Sequence, residues 1–419
     1  MKFRDYQIEI MNVGAEKVNR YGFVYLAMEV RIGKTLTALG MCEKLNAENV
    51  LFVTKKKAMS SIANDINMLC PSYVIFIINY ESLHKIPDVK WDVVILDEAH
   101  SLGRYPKPSN RAKNVAKLIK KNNSKAILMS GTPTPESYSQ MYHQVYGIAT
   151  NPFRQYKNFY RFADSYVNKK SMKINGYNIT NYDDGMPQIL EKMKPYMISY
   201  TQKQAGFSSK ITEHVHGISL DDNIRSLIKK LKKDRILRLD ENLEMTEDLN
   251  APHIILADTG VKMMSKVHQL CSGTVKSEDG QSLVINTYKA EYIKKRFGAK
   301  KTAIFYKFKA EWLALKEVFG DDLTDDIDEF NKTDKHIALQ IVSGREGTKL
   351  SEAENLVYYN IDFSATSYWQ SRDRMTTKDR LKNNVYWIFS LGGIEYKIYE
   401  TVSGKKNYTL SHFRNDFKY

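Results

Sequence analysis

Short apolar runs recur along this chain, separated by stretches with helical spacing of their hydrophobic residues. That alternation restricts the fold more than any other feature. A run rich in β-branched and aromatic residues, without polar alternation, reads as a strand buried on both faces. Such runs are Phe23–Met28, Asn49–Thr54, Val74–Ile78, Asp92–Leu96 and Lys125–Met129, with helical stretches such as Thr35–Leu45 and Arg111–Lys121 between them. Strand signals resume at Thr302–Tyr306, Ile337–Val342, Leu356–Ile361 and Val385–Ser390. Strands alternating with helices build a parallel sheet covered on both faces, with ligand sites at the carboxyl ends of the strands. The chain therefore reads as an α/β protein with two lobes of this kind.

Between the lobes the character changes. From Asn151 to Tyr200 Tyr, Phe and Lys interleave in what reads as helix, and Asp221 to Cys271 is a second, mixed-charge helical stretch. A solvated helical face accounts for those charges, and core packing is the preferred account of the aromatics. The expected organisation is a first lobe over 1–150, a helical protrusion and passage out of it over 151–210, and a helical insertion over 211–285. A second lobe over 286–403 and a tail over 404–419 complete it.

The 419 residues suffice for two or three domains, and 42% hydrophobic with 26% charged residues is a globular composition. The longest apolar stretch, Tyr73–Ile78, falls far short of a span of about 20 residues, and Met1–Asp5 lacks the apolar core of a signal peptide. Cys42, Cys70 and Cys271 lie far apart without CxxC spacing, which argues against a zinc site or disulfide framework. A reducing cytoplasm, with no membrane partner, is the default expectation. The net charge of +15 favours polyanions, but charge alone leaves nucleic-acid binding and mere solubility evenly balanced.

The residues Met28-Glu29-Val30-Arg31-Ile32-Gly33-Lys34-Thr35 follow an apolar strand and open a helix. In that setting loop amides and the helix N-terminus point at a β-phosphate, Lys34 neutralises the β- and γ-phosphates, and the Thr35 hydroxyl ligates Mg²⁺. Arg31, Ile32, Gly33 and Leu36 complete the expected ATP-binding segment. Met28 stands where the general pattern has its first glycine, and a plain strand–turn–helix is the competing reading. Further on, Trp91–Leu96 leads into Asp97-Glu98-Ala99-His100. Two carboxylates at a strand end have a specific use downstream of such a loop: Asp97 holds Mg²⁺, and Glu98 orients and deprotonates the attacking water. Lys125–Met129 then delivers Ser130-Gly131-Thr132-Pro133, an ordinary turn in isolation but the third motif in order.

With these motifs in place the chain resembles, over nearly its whole length, the superfamily 2 helicases and ATPases. Within them it is similar to the Swi/Snf-like, DEAH-containing branch, of phage or mobile-element type. Phe3-Arg4-Asp5-Tyr6-Gln7 looks like the segment that reads adenine, which implicates Arg4, Tyr6 and Gln7. Glu29–Thr35 resembles Glu-Met-Gly-Leu-Gly-Lys-Thr, with Arg31 replacing a glycine. Leu51–Thr54 and Ile78–Glu81 match segments that touch the nucleic-acid backbone, implicating Thr54, Lys55, Asn79 and Tyr80, and the third motif adds Thr132. Lys55-Lys56-Lys57 reads equally as a phosphate contact or as solvated surface. Leu350-Ser351-Glu352-Ala353 resembles the end of motif V, which places Gly347 at its glycine and implicates Ser343 and Lys349. Gln370-Ser371-Arg372-Asp373-Arg374 matches the Gln-x-x-x-Arg of motif VI, and Gly392-Gly393-Ile394-Glu395 the segment after it.

The resemblance implies two RecA-like lobes with ATP and Mg²⁺ between them, nucleic acid across both, and Gln370 and Arg374 completing the catalytic set. Motif VI usually has a second arginine three residues on; Thr377 stands there, leaving Lys378 or Arg380 to assist Arg374. The implied activity is a monomeric, ATP-dependent DNA translocase acting with replication or recombination proteins, in the host cytoplasm if phage-encoded. A strand-separating helicase, an RNA-dependent ATPase and a hydrolysis-weakened ATP-binding scaffold are the alternatives.

Overall fold

A computed structural model describes residues 2–174, 177–206, 210–344, 350–375, 382–404, 407, 412, 413 and 416. The chain divides into two compact units, Met1–Phe207 and Ser208–Tyr419.

The first unit is built on strands β1 (Phe23–Met28), β2 (Asn49–Thr54), β3 (Val74–Asn79), β4 (Val93–Leu96) and β5 (Lys125–Met129). Their limits match the apolar runs of the sequence to within a residue. A short antiparallel hairpin, β6 (Lys170–Ile174) and β7 (Tyr177–Asn181), precedes β8 (Met197–Tyr200). The sheet order is β3-β2-β4-β5-β1-β8, and every pairing is parallel. Successive side chains of a strand face opposite sides, so one strand feeds two cores. Val24, Leu26 and Met28 pack with Ile10, Val18, Leu39 and Met41. Phe23 and Tyr25 face Val115, Ile119 and Phe162. The helix Asn110–Asn122 covers that second face through Ala112, Val115, Ala116, Leu118 and Ile119. Ser109 caps it, its hydroxyl accepting from Ala112 N at 3.2 Å, and Asn123 ends it in the left-handed conformation.

The stretch expected as helix between the lobes is mixed. It holds the helices Phe159–Tyr166 and Gln188–Met193, the β6–β7 hairpin, and β8, which pairs with β1 from Tyr25↔Met197 to Met28↔Tyr200. Phe153, Phe159 and Phe162 are buried, so core packing explains the aromatic density there.

The second unit opens on β9 (Lys210–Ser219), followed by the hairpins β10 (Ile236–Leu239)–β11 (His253–Leu256) and β12 (Thr274–Lys276)–β13 (Ser282–Val284). Then come β14 (Thr302–Tyr306), β15 (Leu323–Thr324), β16 (His336–Gln340), β17 (Asn355–Tyr358) and β18 (Lys382–Leu391). The main sheet runs β15-β16-β14-β17-β18-β9, again parallel throughout. β9 falls where helix was expected. It pairs with β18 from Lys382↔Lys210 to Leu391↔Ser219, and its polar Lys-Ile-Thr-Glu-His-Val-His sequence suits a sheet edge. The expected α/β class with two parallel-sheet lobes is the observed one. Among the described residues no helix is long and apolar enough to cross a membrane.

Candidate nucleotide site

At the carboxyl end of β1 the chain turns through Glu29–Gly33 into the helix Lys34–Lys44. Gly33 takes a left-handed conformation at φ +78, and a β-carbon there would strike the Gln7 amide. Arg31 is left-handed too, at φ +64, where a non-glycine residue costs about 1 kcal/mol. The loop is held from two sides. Tyr6 OH donates to Ile32 O at 3.0 Å, Gln7 Nε2 to Gly33 O at 3.3 Å, and Arg4 Nη1 to Tyr6 OH at 3.0 Å. From the turn after β8, Gln202 Nε2 donates to Val30 O at 3.0 Å and its backbone N–H to Glu29 Oε2 at 2.7 Å. Tyr200 stacks on Tyr6 at 5.1 Å. Arg4, Tyr6 and Gln7 are thus brought to the loop, while Tyr200 and Gln202 carry no local sequence signal and went unread.

Lys34 Nζ donates to Met28 O and Glu29 O, each at 2.9 Å, and Thr35 and Leu36 lie half-buried on the same helical turn. The third motif closes in from β5: a β-carbon on Gly131 would stand 3.6 Å from Lys34 Nζ.

Asp97 and Glu98 follow β4. Asp97 is held by its backbone N–H to Val53 O at 2.9 Å, by Thr54 Oγ1 donating to its Oδ2 at 2.8 Å, and by Tyr80 OH donating to its carbonyl at 2.5 Å. Burial and then the neighbouring Glu98 push its carboxyl up to about 6, against the Thr54 hydrogen bond and Lys34. Glu98, left-handed at φ +49, places Oε2 3.2 Å from His100 Nδ1. Burial opposes its charge too, but the His100 hydrogen bond and charge, with Lys34 and Lys55, hold it well below the usual carboxylate range. His100 Nδ1 also lies 2.9 Å from Ser130 Oγ, which accepts from Thr132 N at 3.1 Å. Beneath this, Tyr25 OH donates to Gln144 Oε1 at 2.7 Å and Gln144 Nε2 to Pro133 O at 2.8 Å. The sequence reading missed this second rank of polar residues.

A cation would relieve the two adjacent half-buried carboxyls. Among the described residues no group of three or more His, Cys, Asp or Glu forms an all-protein metal cage. Oxygen donors without a cage fit Mg²⁺, which keeps waters and binds substrate phosphates.

Two expected nucleic-acid contacts are corrected. Thr54 is 0% and Tyr80 1% exposed, and both hydroxyls serve Asp97, so neither side chain offers a surface to a polymer. Asn79 builds the following turn, its carboxamide oxygen accepting from Glu81 N at 3.1 Å and Ser82 N at 3.0 Å. The Thr132 hydroxyl oxygen is buried and has no hydrogen-bond partner among the described residues. Lys55 is half-buried, and Lys56 and Lys57 are exposed.

In the second unit Gln370 is buried on the helix Ala365–Arg372. Arg374 Nε donates to Gln370 O at 3.1 Å, and Arg374 O accepts from Leu350 N at 3.1 Å. Ser343 Oγ donates to Gln340 O at 3.1 Å. Gly347, Lys349 and Lys378 lie outside the described residues. A residue not singled out from sequence organises this region. The Glu213 carboxylate, on β9, accepts from Tyr368 OH at 2.8 Å, Arg372 Nη1 at 2.8 Å, Trp387 Nε1 at 2.8 Å and Tyr399 OH at 3.3 Å.

Residues 33–272 match the SNF2-related domain family. No curated protein matches the chain. Among solved structures, the chain is similar to a Sulfolobus solfataricus SWI2/SNF2 ATPase core in complex with double-stranded DNA, at 15% identity and a TM-score of 0.42, covering 100% of this chain and 93% of that one. It is similar also to a Sulfolobus solfataricus SWI2/SNF2 ATPase core domain, at 15% identity and a TM-score of 0.42, covering 100% of this chain and 91% of that one.

Proposed function

The chain belongs to the SNF2-related domain family, and from that premise we propose that it is an ATP-driven DNA translocase, coupling hydrolysis to movement along, or remodelling of, duplex or branched DNA. The observation that carries the reading is the convergence of Lys34, Asp97 and Glu98 at the carboxyl ends of β1 and β4, the two strands that flank β5, with Glu98 kept anionic by His100.

Lys34 and the loop amides bind the phosphates of ATP, and Gln7 and Tyr6 keep the loop in the shape that presents those amides. Thr35 and Asp97 would hold Mg²⁺, which when bound neutralises charge on the β- and γ-phosphate oxygens. Glu98 orients the attacking water and takes its proton. Because His100 bonds both Glu98 and Ser130, proton uptake by Glu98 weakens its hold on His100 and so alters the bonding of the segment Ser130–Thr132. Arg374 is proposed, from its match to motif VI, as a catalytic cation, a role worth on the order of 10³-fold in rate.

Two measurements test this. ATPase activity is compared with duplex DNA, single-stranded DNA and RNA, and duplex DNA is expected to stimulate most. Stimulation by RNA alone would overturn the choice of polymer, and hydrolysis under none of them would favour an ATP-binding scaffold. Triplex displacement without strand separation is expected of a translocase. The Glu98→Gln protein should still bind ATP while turnover falls about 10²-fold or more; near-normal hydrolysis would place the base elsewhere.

A further inference from the structure

The helix Asn110–Asn122 carries no Asp or Glu, and its outer face presents Lys113, Lys117, Lys120 and Lys121, all exposed. At these spacings the ammonium groups stand one above another, where like charges repel. Among the described residues one carboxylate from outside the helix meets them: Asp88, 2.9 Å from Lys121 and itself largely solvent-exposed. Such a face is costly without an anionic counterpart and cheap with one.

An aromatic lies directly beside it. Gly147 packs so closely on the helix that a β-carbon there would approach Ala116 Cα to 2.5 Å, and this contact brings Tyr146 alongside. Tyr146 stays 38% exposed, with Lys120 Nζ 5.6 Å from its ring centroid. A groove of about 250 Å³ continues from Lys120 and Tyr146 past Tyr156 to the exposed Arg154 and Lys157. Among the described residues no acidic side chain lines it.

This strip is separate from the nucleotide loop. The helix runs antiparallel to its strands, ending at Asn122, just before β5 begins at Lys125, whereas β5 ends beside Lys34. A five-residue strand spans roughly 16 Å, so Lys120 and Lys121, in the last turn of the helix, lie toward the end of the sheet opposite the nucleotide loop, while Lys113 stands in its first turn. Lys113 to Lys121 covers about 12 Å along the helix, the rise of three to four nucleotides.

We propose that the strip Lys113–Lys117–Lys120–Lys121, continued by Tyr146, Arg154 and Lys157, is a second nucleic-acid contact of the first unit. The lysines take the phosphodiester backbone and Tyr146 takes the face of an unpaired base. Regularly spaced cations beside one exposed ring match a polymer of phosphates with flat bases. The inference rests on the reading of the chain as a nucleic-acid motor, and it places on this surface a hold that requires no nucleotide.

The test is equilibrium binding of the full chain to labelled single-stranded and duplex oligonucleotides across a salt titration. It compares the wild type with a Lys113→Gln/Lys117→Gln/Lys120→Gln protein and with Tyr146→Ala and Tyr146→Phe. Glutamine keeps helix propensity, and unchanged ATPase activity without nucleic acid confirms the fold. The triple variant is expected to lose affinity for both polymers, with a log–log salt slope shallower by about 2, at 0.7 to 0.9 per phosphate contact. Tyr146→Ala should lose about tenfold on single strands and little on duplex, with Tyr146→Phe near wild type. Wild-type binding with an unchanged slope in the triple variant overturns the strip alone. A wild type that binds neither polymer overturns the motor reading and the strip together. If polyglutamate binding is lost in the triple variant while oligonucleotide binding is kept, the strip serves an acidic protein and the proposal fails.

Discussion

Arg31 sets two demands against each other at one residue. Its left-handed backbone, at φ +64, is a conformation glycine adopts freely, yet the position carries a long cation. Arg31→Gly and Arg31→Ala both remove the guanidinium, and only glycine accepts the backbone without strain. Glycine should therefore be the more stable of the two by about 1 kcal/mol, read from denaturant midpoints; equal midpoints would mean that the loop relaxes. Thr54 makes a second test at this scale. Thr54→Val keeps the shape but removes the hydrogen bond to Asp97 Oδ2, so the Mg²⁺ concentration for half-maximal ATPase should rise about tenfold. Lys34, Asp97 and Glu98 were legible because their chemistry needs those residue types at strand ends. Thr54 and Tyr80 were legible as part of a motif but not in role. Which way a hydroxyl points depends on β2, β3 and β4 lying side by side, and that adjacency is absent from any one stretch of sequence.

At the scale of elements, the inner strands announced themselves, and of the edges only β3 did. β1, β2, β4 and β5 are apolar because both of their faces are covered, and β3 is apolar although it borders its sheet and is only partly buried, whereas the edge strands β8 and β9 read as something else. The β9 edge nevertheless carries Glu213, which grips the helix Ala365–Arg372 through Tyr368 and Arg372, and that helix leads directly to Arg374. Glu213→Gln keeps acceptors for Tyr368 and Trp387 but loses the charge facing Arg372. A role in placing Arg374 predicts that kcat falls several-fold in Glu213→Gln and further in Glu213→Ala, with KM for ATP little changed. Loss of folded protein in both variants, or a change confined to KM, would count against it.

At the scale of the whole molecule, each unit buries an imidazole in neutral form. In the first unit His143 is pushed down to about 4, by burial, against a hydrogen bond with Arg104 O at 2.7 Å. In the second, burial drives His268 well below its ordinary value, with Lys307 adding to the effect. A depressed histidine is neutral in the fold while the unfolded chain takes up the proton below about 6.5. Stability is therefore full above that pH and declines as pH falls towards 4; for His143 the loss is about 3 kcal/mol. Denaturant unfolding followed against pH should show this slope. His143→Phe should flatten the first unit's share, and an unchanged slope would mean that the ring titrates in the fold. The two-lobed architecture was legible from the two blocks of strands, but these burials were not, because a histidine in a mixed sequence carries no mark of being enclosed.

The pairing of β9 with β18 along ten residues has a consequence for the order of assembly. Among the described residues, the strand that opens the second unit pairs in the main sheet with the last strand of that sheet alone. During synthesis β9 leaves the ribosome first and must wait, its backbone N–H and C=O groups open to solvent, until almost all of the unit has been made. Its charged and histidine-rich side chains keep that wait harmless, since they discourage pairing with a neighbouring nascent chain. The polarity that hid β9 from a reading based on apolar runs thus protects it through the long interval before its partner arrives.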